Sequence, residues 1–273
     1  VQGKVKSCFG VTEPNAGLNT TQLKTRAVRR GDRYVVHGQK VWISTAQVAD
    51  KILLLARTTP LEEVKRPTEG LSLFYTDFDR SRITAREIDK MGRKAIDSNE
   101  LFIENFQIPV EDRIGEEGMG FMYQMEQFQI ERLWGALNCG AMAQRAIDHT
   151  ITYTRERQAF GRSILDNQWV HYKLAELQTE VEALRSLAWR GVEMVVKGED
   201  ATKLATMAKL KAGRTIREVT DGCLQFWGGM GYVMDSPISR MWRDGRLTSI
   251  GGGADEVMLQ ILCKFMGTFP TGR

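Results

Sequence analysis

The spacing of apolar residues divides the chain into two parts. From residue 1 to about residue 112, apolar and polar side chains alternate, which is the period of a strand with one buried face. Short apolar runs at residues 51–56 and 71–75 fit the same pattern. About seven strands joined by short turns, with almost no helix between them, predict a β-barrel or a β-sandwich.

Turn-forming residues indicate where these strands end. Gly31-Asp32 predicts a hairpin within residues 25–44, and Gly38-Gln39 predicts a second tight turn shortly after it. Residues 58–70 contain two prolines and several charged side chains, which together favour an exposed loop.

From Gly115 onward, the apolar period becomes helical. The pattern predicts helices at residues 115–161, 163–197, 201–226, 239–246 and 255–266, with a glycine-rich break at 228–232. Long amphipathic helices joined by short turns are typical of antiparallel bundles. We therefore expect a multi-domain α and β protein, with an all-β barrel domain at residues 1–112 and a bundle of four or five helices at residues 113–273.

The first predicted helix carries ionisable groups at two separate places. Glu131 and Arg132 lie in an apolar turn near its middle, whereas Arg157 lies at its C-terminal end. The two arginines face the same side, roughly 37 Å apart along the helix. Burial would raise the pKa of Glu131 unless Arg132 pairs with it, so a structural ion pair and a functional carboxylate both remain open. The arginines around residue 157 suit a pyrophosphate, or the C-terminal end of the helix dipole.

Composition narrows the class of protein. The chain has 273 residues, 42% hydrophobic content and a net charge of +4, which suits a globular protein and favours a solvated surface over nucleic-acid binding. No apolar run is long enough to predict a membrane-spanning helix, and the first residues lack a signal-peptide pattern. Four scattered cysteines and three histidines indicate a reduced compartment and no metal site.

Three short segments could contact a ligand, although each also has a plainer structural interpretation. Residues 8–25 place hydroxyl and amide groups after a strand, which suits a neutral ring edge or a phosphate as well as a polar turn. Trp42-Ile43-Ser44 ends a strand and could equally belong to the core. The glycines of residues 225–231 would let a backbone approach a ligand, but this segment follows a helix and is not a dinucleotide-binding fingerprint.

Taken in order, seven segments resemble motifs of the acyl-CoA dehydrogenase family: CFGVTEPNAG, GQKVWIS, MGRKAIDSNELFIENFQIP, IGEEGMGF, ERQAFGR, QFWGGMGY and RMWRDGRLTSI. The resemblance covers essentially the whole chain. It implies a flavoprotein with an N-terminal helical domain, a central β-barrel and a C-terminal helical bundle. The sequence begins just before the first barrel strand, so we expect the first domain, and part of the substrate-cavity wall, to be missing.

The resemblance also implies where FAD binds. Contacts with the flavin ring are expected from Phe9, Val11, Thr12, Trp42, Ile43 and Ser44. Contacts with the FAD of a neighbouring subunit are expected from Arg157, Phe160, Gln168, Gln225, Gly228 and Gly229, and further cofactor contacts from Ala254 and Glu256. A complete site would then require a homodimer or homotetramer. Asn15, Leu18 and Ala254 depart from the usual family residues, which weakens individual FAD contacts without removing the site.

The catalytic base is assigned by the same resemblance. Gly252 stands where most members carry the catalytic glutamate, whereas a branch similar to isovaleryl- and long-chain acyl-CoA dehydrogenases carries it on the long helix. Glu131 occupies that second position, directly before Arg132, which resembles the residue near the CoA portion. Phe128 and Gly252 are the other expected substrate contacts. The sequence around Glu131 also resembles, more loosely, dehydrogenases of terpenoid-like substrates such as citronellyl-CoA.

The function that this resemblance implies is α,β-dehydrogenation of an acyl-CoA to the trans-2-enoyl-CoA, as in β-oxidation of fatty acids. A branched or long acyl chain is expected, with an electron-transfer flavoprotein as acceptor. The expected location is the cytoplasm of a bacterium or the mitochondrial matrix of a eukaryote. Two alternatives remain: an oxidase or hydroxylase that uses oxygen, and a non-catalytic acyl-binding or assembly protein with the same fold.

Overall fold

A computed structural model describes residues 3–270, which form a β-rich part followed by a helical part. Two compact units account for the fold, unit 1 at Val1–Gln127 and unit 2 at Phe128–Arg273. This division falls within the longest helix. Because compactness does not show which segments fold independently, the domain limits 1–112 and 113–273 stay a prediction.

The strands are β1 (Ser7–Gly10), β2 (Arg26–Arg30), β3 (Arg33–Ser44), β4 (Lys51–Arg57), β5 (Leu71–Asp77), β6 (Ile83–Glu87), β7 (Ser98–Pro109), β8 (Arg113–Ile114), β9 (Gln158–Ala159) and β10 (Arg162–Ser163). The α-helices are α1 (Gly120–Glu156), α2 (Gln168–Val196), α3 (Thr202–Trp227), α4 (Pro237–Arg246) and α5 (Asp255–Phe265).

Unit 1 is built on one mixed sheet in the order β6-β7-β3-β2-β4-β5-β8, with β1 paired in parallel to β4. The predicted turn at Gly38-Gln39 is wrong, because β3 continues through it with a register shift against β7 between Val36 and Gly38. A Cβ on Gly38 would collide with Thr25 on the neighbouring segment. Glycine at this position therefore allows two backbone segments to lie close together inside the sheet.

Alternation along the strands explains the core of unit 1. On β3 and β7, Tyr34, Phe106 and Ile108 are almost completely buried between more exposed neighbours, whereas Phe74 lies in a stretch of β5 that is buried on both faces. The segment at 58–70, expected to be a plain loop, contains a short 3₁₀ turn at Leu61–Glu63.

Unit 2 packs its helices around a second apolar core, which includes Ala143, Leu177, Val181 and Ile216. Helix α2 begins at Gln168, later than predicted, because Ser163 caps a separate 3₁₀ turn by accepting from the Leu165 N–H at 3.2 Å. The predicted break at 228–232 is a 3₁₀ turn. None of the helices within residues 3–270 combines the length and apolar character needed to cross a membrane.

Candidate active site

Glu131 lies on α1, in the part of that helix that belongs to unit 2. Its side chain reaches solvent, yet surrounding protein atoms desolvate the carboxylate and raise its pKa above the usual range, while the charges of Arg132 and Lys209 act in the opposite direction. Within residues 3–270, the carboxylate has no ion-pair partner within 4.0 Å. A carboxylate that is desolvated without being neutralised is suited to accept a proton.

The ion pair between Glu131 and Arg132, one of the two possibilities left open by the sequence, does not form. Consecutive residues of an α-helix project about 100° apart, and Arg132 turns into the bundle, where Nη1 donates to Thr206 Oγ1 at 3.4 Å. Its guanidinium lies 5.9 Å from the centre of the Phe128 ring, close enough for a cation–π contact. The buried Nε has no hydrogen-bond partner among the described residues and can still donate to a ligand.

Gly252 lies opposite Glu131, in the loop between the 3₁₀ turn Leu247–Ser249 and α5. Gly252 and Gly253 have φ values of 66° and 92°, which favour glycine at both positions. A Cβ built on Gly252 would lie 3.7 Å from Glu131 Oε1, so the carboxylate reaches the space into which a side chain at position 252 would point. The Gly252 N–H has no acceptor among residues 3–270 and is available to a ligand oxygen.

The sequence interpretation missed Lys209, which lies beside this pair. Its ammonium donates to the carbonyl oxygens of Thr248 and of Gly253, the latter at 3.0 Å, and only 5% of the residue is exposed. Burial lowers the pKa of Lys209, whereas the nearby carboxylates Asp255 and Glu131 oppose that change. The available signal was a lysine among the small apolar residues that form the buried stripe of α3.

The expected flavin contacts occupy two adjoining segments of unit 1. The Val41 N–H donates to the Thr12 carbonyl at 2.9 Å, which joins the segment after β1 to the end of β3. Trp42 has a φ of 64° and remains 60% exposed, so the irregular backbone presents its ring to solvent. Val11 and Ile43 are buried in the unit, and only their backbone groups can face a ligand. An exposed indole can pack against a flat aromatic ring such as flavin.

Phe9 is half-buried beside these segments and packs against the small apolar cluster that contains Val11 and Leu23, whereas Ser44 is exposed at the end of β3. Thr12, whose side chain carries a hydroxyl group, is half-buried. These residues supply hydroxyl, backbone and aromatic groups without a formal charge, the set that the neutral polar edge of a flavin requires.

A second group of expected cofactor contacts gathers at one end of unit 2. The Tyr153 and Trp227 rings stack at 4.2 Å, and Trp169 meets Phe226 edge to face at 5.0 Å, which brings together the end of α1, the start of α2 and the end of α3. The set found there is Arg157, Phe160, Gln168, Gln225, Gly228 and Gly229. Ala254 and Glu256 lie elsewhere, at the start of α5 next to the Gly252 loop.

The residues of this second group are exposed to solvent, unlike the residues of a packed core. Phe160 is fully exposed and has a φ of 52°, on the short β9–β10 hairpin. A Cβ on Gly228 or on Gly229 would meet no atom within 4 Å, so both glycines leave open backbone. This group combines an arginine, an aromatic ring, a side-chain amide and exposed backbone. Together, these groups fit a dinucleotide.

Two family models match the chain in the order of its two units. The model described as acyl-CoA dehydrogenase, middle domain, matches residues 8–106, and the model described as acyl-CoA dehydrogenase, C-terminal domain, matches residues 118–267. The chain therefore belongs to the acyl-CoA dehydrogenase family, whose members are FAD-binding oxidoreductases. The family and the fold class expected from the sequence are confirmed.

Individual relatives support the same assignment. The chain is 35% identical to cyclohex-1-ene-1-carbonyl-CoA dehydrogenase of Syntrophus aciditrophicus over 92% of its own length and 60% of that protein. It is 31% identical to the CarC subunit of the caffeyl-CoA reductase-Etf complex of Acetobacterium woodii, over 96% and 68% of the two chains. The solved acyl-CoA dehydrogenase of Geobacillus kaustophilus matches with a TM-score of 0.92 and 33% identity, over 95% and 68%. The chain thus spans 60% to 68% of the length of these relatives.

Proposed function

We propose that this chain is part of an enzyme that dehydrogenates an acyl-CoA thioester between the α and β carbons, with Glu131 as the catalytic base. The observation that carries the proposal is the approach of Glu131 Oε1 to within 3.7 Å of the Cβ position of Gly252. A carboxylate on α1 can thereby act on the same carbon atom as a glutamate at position 252 would. Position 252 is a glycine and has no side chain that could act as a base. The desolvated Glu131 carboxylate lies beside the space that such a side chain would enter.

The reaction assigns separate tasks to the residues around this point. Glu131 accepts the α-proton, and the C–H electron pair is left to form the new α,β double bond. The Gly252 N–H is free to stabilise the negative charge that develops on the thioester oxygen. The unpartnered Nε of Arg132 can donate to the substrate. Bound FAD supplies the acceptor for the hydride that leaves the β-carbon.

The FAD site is proposed to use both groups of residues described above. The segments with Phe9, Thr12, Trp42 and Ser44 would hold the flavin ring, while Val11 and Ile43 would contribute backbone groups. The exposed group with Arg157, Phe160, Gln168 and the residues Gln225, Gly228 and Gly229 would hold the dinucleotide of a second subunit. Ala254 and Glu256, at the start of α5, would contact the cofactor near the Gly252 loop.

The proposal extends to the acyl group and to the electron acceptor. The absence of side chains at residues 251–253 leaves room for a branched or long acyl chain. A relative named for a cyclic acyl-CoA is consistent with a branched α-carbon environment. The relative named as part of an Etf complex supports an electron-transfer flavoprotein as the acceptor. A homodimer or homotetramer would complete the site.

The decisive experiment is anaerobic flavin bleaching by a panel of straight and branched acyl-CoAs. We expect Glu131→Gln to retain FAD and to slow flavin reduction by roughly 10³-fold, because the amide cannot accept the proton. Glu126→Gln, an exposed position on the same helix, is the control and should reduce flavin at the native rate. If Glu131→Gln bleaches as fast as the native protein, the assignment of the base is wrong.

The pH dependence gives a second test of the same assignment. The base must be ionised, so activity should be lost as pH falls through the pKa of Glu131. Desolvation raises that pKa, and the acid limb of kcat/KM should therefore lie above 4.5, the ordinary value for a glutamate. Peroxide formation in air without an added acceptor would instead favour the oxygen-using enzymes.

A further inference from the structure

We propose that Lys209 is a positioning residue that fastens the Gly252 loop to the bundle and holds its backbone opposite Glu131. This inference rests on the proposed function, since it assigns a task to Lys209 at the same site. It adds a residue from α3, a helix that supplies neither the base nor the oxyanion donor.

The first argument is the hydrogen bonding of the ammonium group. Lys209 Nζ donates to Thr248 O, before the loop, and to Gly253 O, within it. One buried cation thus joins both sides of Gly252, in a segment where Gly252 and Gly253 adopt left-handed backbone conformations. Glycines have the largest conformational entropy to lose on ordering, so this loop needs an external tether more than most loops do.

The second argument is that Lys209 and Glu131 converge on the same point. The Cβ position of Gly252 lies 3.6 Å from Lys209 Cε and 3.7 Å from Glu131 Oε1. A lysine that served only the core would not be required at this contact. Lys209 Cε and Glu131 Oε1 therefore both lie beside the same Gly252 position.

The titratable groups around Lys209 come from two other helices. Glu131, Arg132 and Cys139 face it from α1, and Asp255 faces it from α5. Asp255 also accepts from Arg217 Nη2 at 3.4 Å, so its charge is shared with a second cation. Together with Arg132, Lys209 opposes the rise in the pKa of Glu131. Loss of the Lys209 charge should move the acid limb of activity to higher pH.

The test compares Lys209→Met with Lys203→Met, an exposed lysine on the same helix, in the FAD-loaded enzyme. We expect Lys209→Met to lower kcat by roughly 10- to 100-fold because the loop loses its alignment. The acid limb of kcat/KM should move to higher pH because the cation is gone. Lys203→Met should match the native protein in both measurements.

A readout without turnover is hydrogen exchange of the loop amides, measured by mass spectrometry on the flavin-free and the FAD-loaded protein. Lys209→Met should accelerate exchange at residues 250–254 by roughly tenfold, because the tether that resists local opening is removed. If Lys209→Met does not fold, Lys209→Gln replaces it. That amide can still donate to a carbonyl but carries no charge, so the acid limb should rise while loop exchange stays near native.

The outcomes separate this inference from the proposed function. A lower melting temperature with unchanged loop exchange and an unchanged acid limb would mean that Lys209 is only structural, and would overturn the inference. Native bleaching by Glu131→Gln would reject the proposed base. Loop exchange does not depend on the base, so it would then still test the tether by itself.

Discussion

At the residue scale, unit 1 contains a buried ion pair that the chemistry of the site does not require. Lys40 Nζ donates to Glu13 Oε1 and to Val11 O, each at 2.9 Å, and to Leu55 O at 2.8 Å. Burial lowers the pKa of Lys40 to about 8, and Glu13 opposes that change. Desolvation alone would raise the pKa of Glu13, but Lys40 and hydrogen bonds from residues 24 and 25 lower it overall. Both groups are therefore charged near neutral pH, and each depends on the other.

Replacing one member of this pair should lower the free energy of unfolding more than replacing both members. We expect Lys40→Met to lower the free energy of unfolding by about 3 to 5 kcal/mol, because the Glu13 carboxylate is left buried without a counter-charge. The double variant Lys40→Met with Glu13→Gln should recover much of that loss. Urea denaturation of the two single variants and the double variant measures the coupling between them.

The exposed pair Lys51–Asp77 in the same sheet is the control, and Lys51→Met should leave the free energy of unfolding close to the native value because solvent screens this pair. Equal losses for Lys40→Met and Lys51→Met would show that burial of the first pair is unimportant.

At the element scale, helix α1 contains glycines with opposite roles. Gly120 begins the helix against β5, where a Cβ would lie 2.5 Å from the Leu73 nitrogen and 2.6 Å from the Ser72 carbonyl carbon. Gly135 lies in the helix interior, and a Cβ there would meet no atom within 4 Å. The first glycine therefore permits packing of backbone on backbone, whereas the second gives no packing advantage within the described chain.

Alanine at the two positions should change stability in opposite directions. Gly120→Ala is expected to destabilise the protein by about 1 to 3 kcal/mol, because neighbouring backbone must shift to admit the methyl group. Gly135→Ala should stabilise it by roughly 0.5 to 1 kcal/mol, the difference in helix propensity between the two residues. Thermal unfolding of both variants checks the prediction, and destabilisation by Gly135→Ala would indicate a close neighbour from another subunit.

At the scale of the whole molecule, the exposed group around Phe160 is the place where we propose that the cofactor site extends beyond one chain. Phe160 is fully exposed and held in a left-handed conformation, so its position adds nothing to the core of unit 2. Burying its ring against another molecule would contribute about 1.5 to 3 kcal/mol. A projecting aromatic ring beside Arg157 is therefore better explained by a ligand or a partner than by folding.

Loss of this ring should weaken FAD binding without weakening the fold of the chain. We expect Phe160→Ala to unfold at nearly the native urea concentration and to bind FAD roughly tenfold more weakly. Val196→Ala, which removes an apolar side chain that is 81% exposed at the end of α2, should change neither property. Equilibrium dialysis against FAD at several protein concentrations measures the effect, and unchanged FAD affinity would contradict a role for Phe160 at the cofactor.

Local patterns were enough to predict the order of strands and helices and the family of this chain. Alternation with period two and the later helical period are properties of neighbouring residues, so the β-rich part, the long helix and the bundle can all be predicted from sequence. The family motifs are also local, which is why Glu131, Gly252 and Arg157 could be named before their positions in space were known.

The tertiary structure decided the contacts between residues that are distant in sequence. It brings Glu131 next to Gly252, turns Arg132 away toward Thr206, and places the buried ammonium of Lys209 beneath the glycine loop. It also converts the expected turn at Gly38 into a bulge inside β3. Each outcome depends on packing and desolvation by other elements, which a periodic pattern along one segment does not specify.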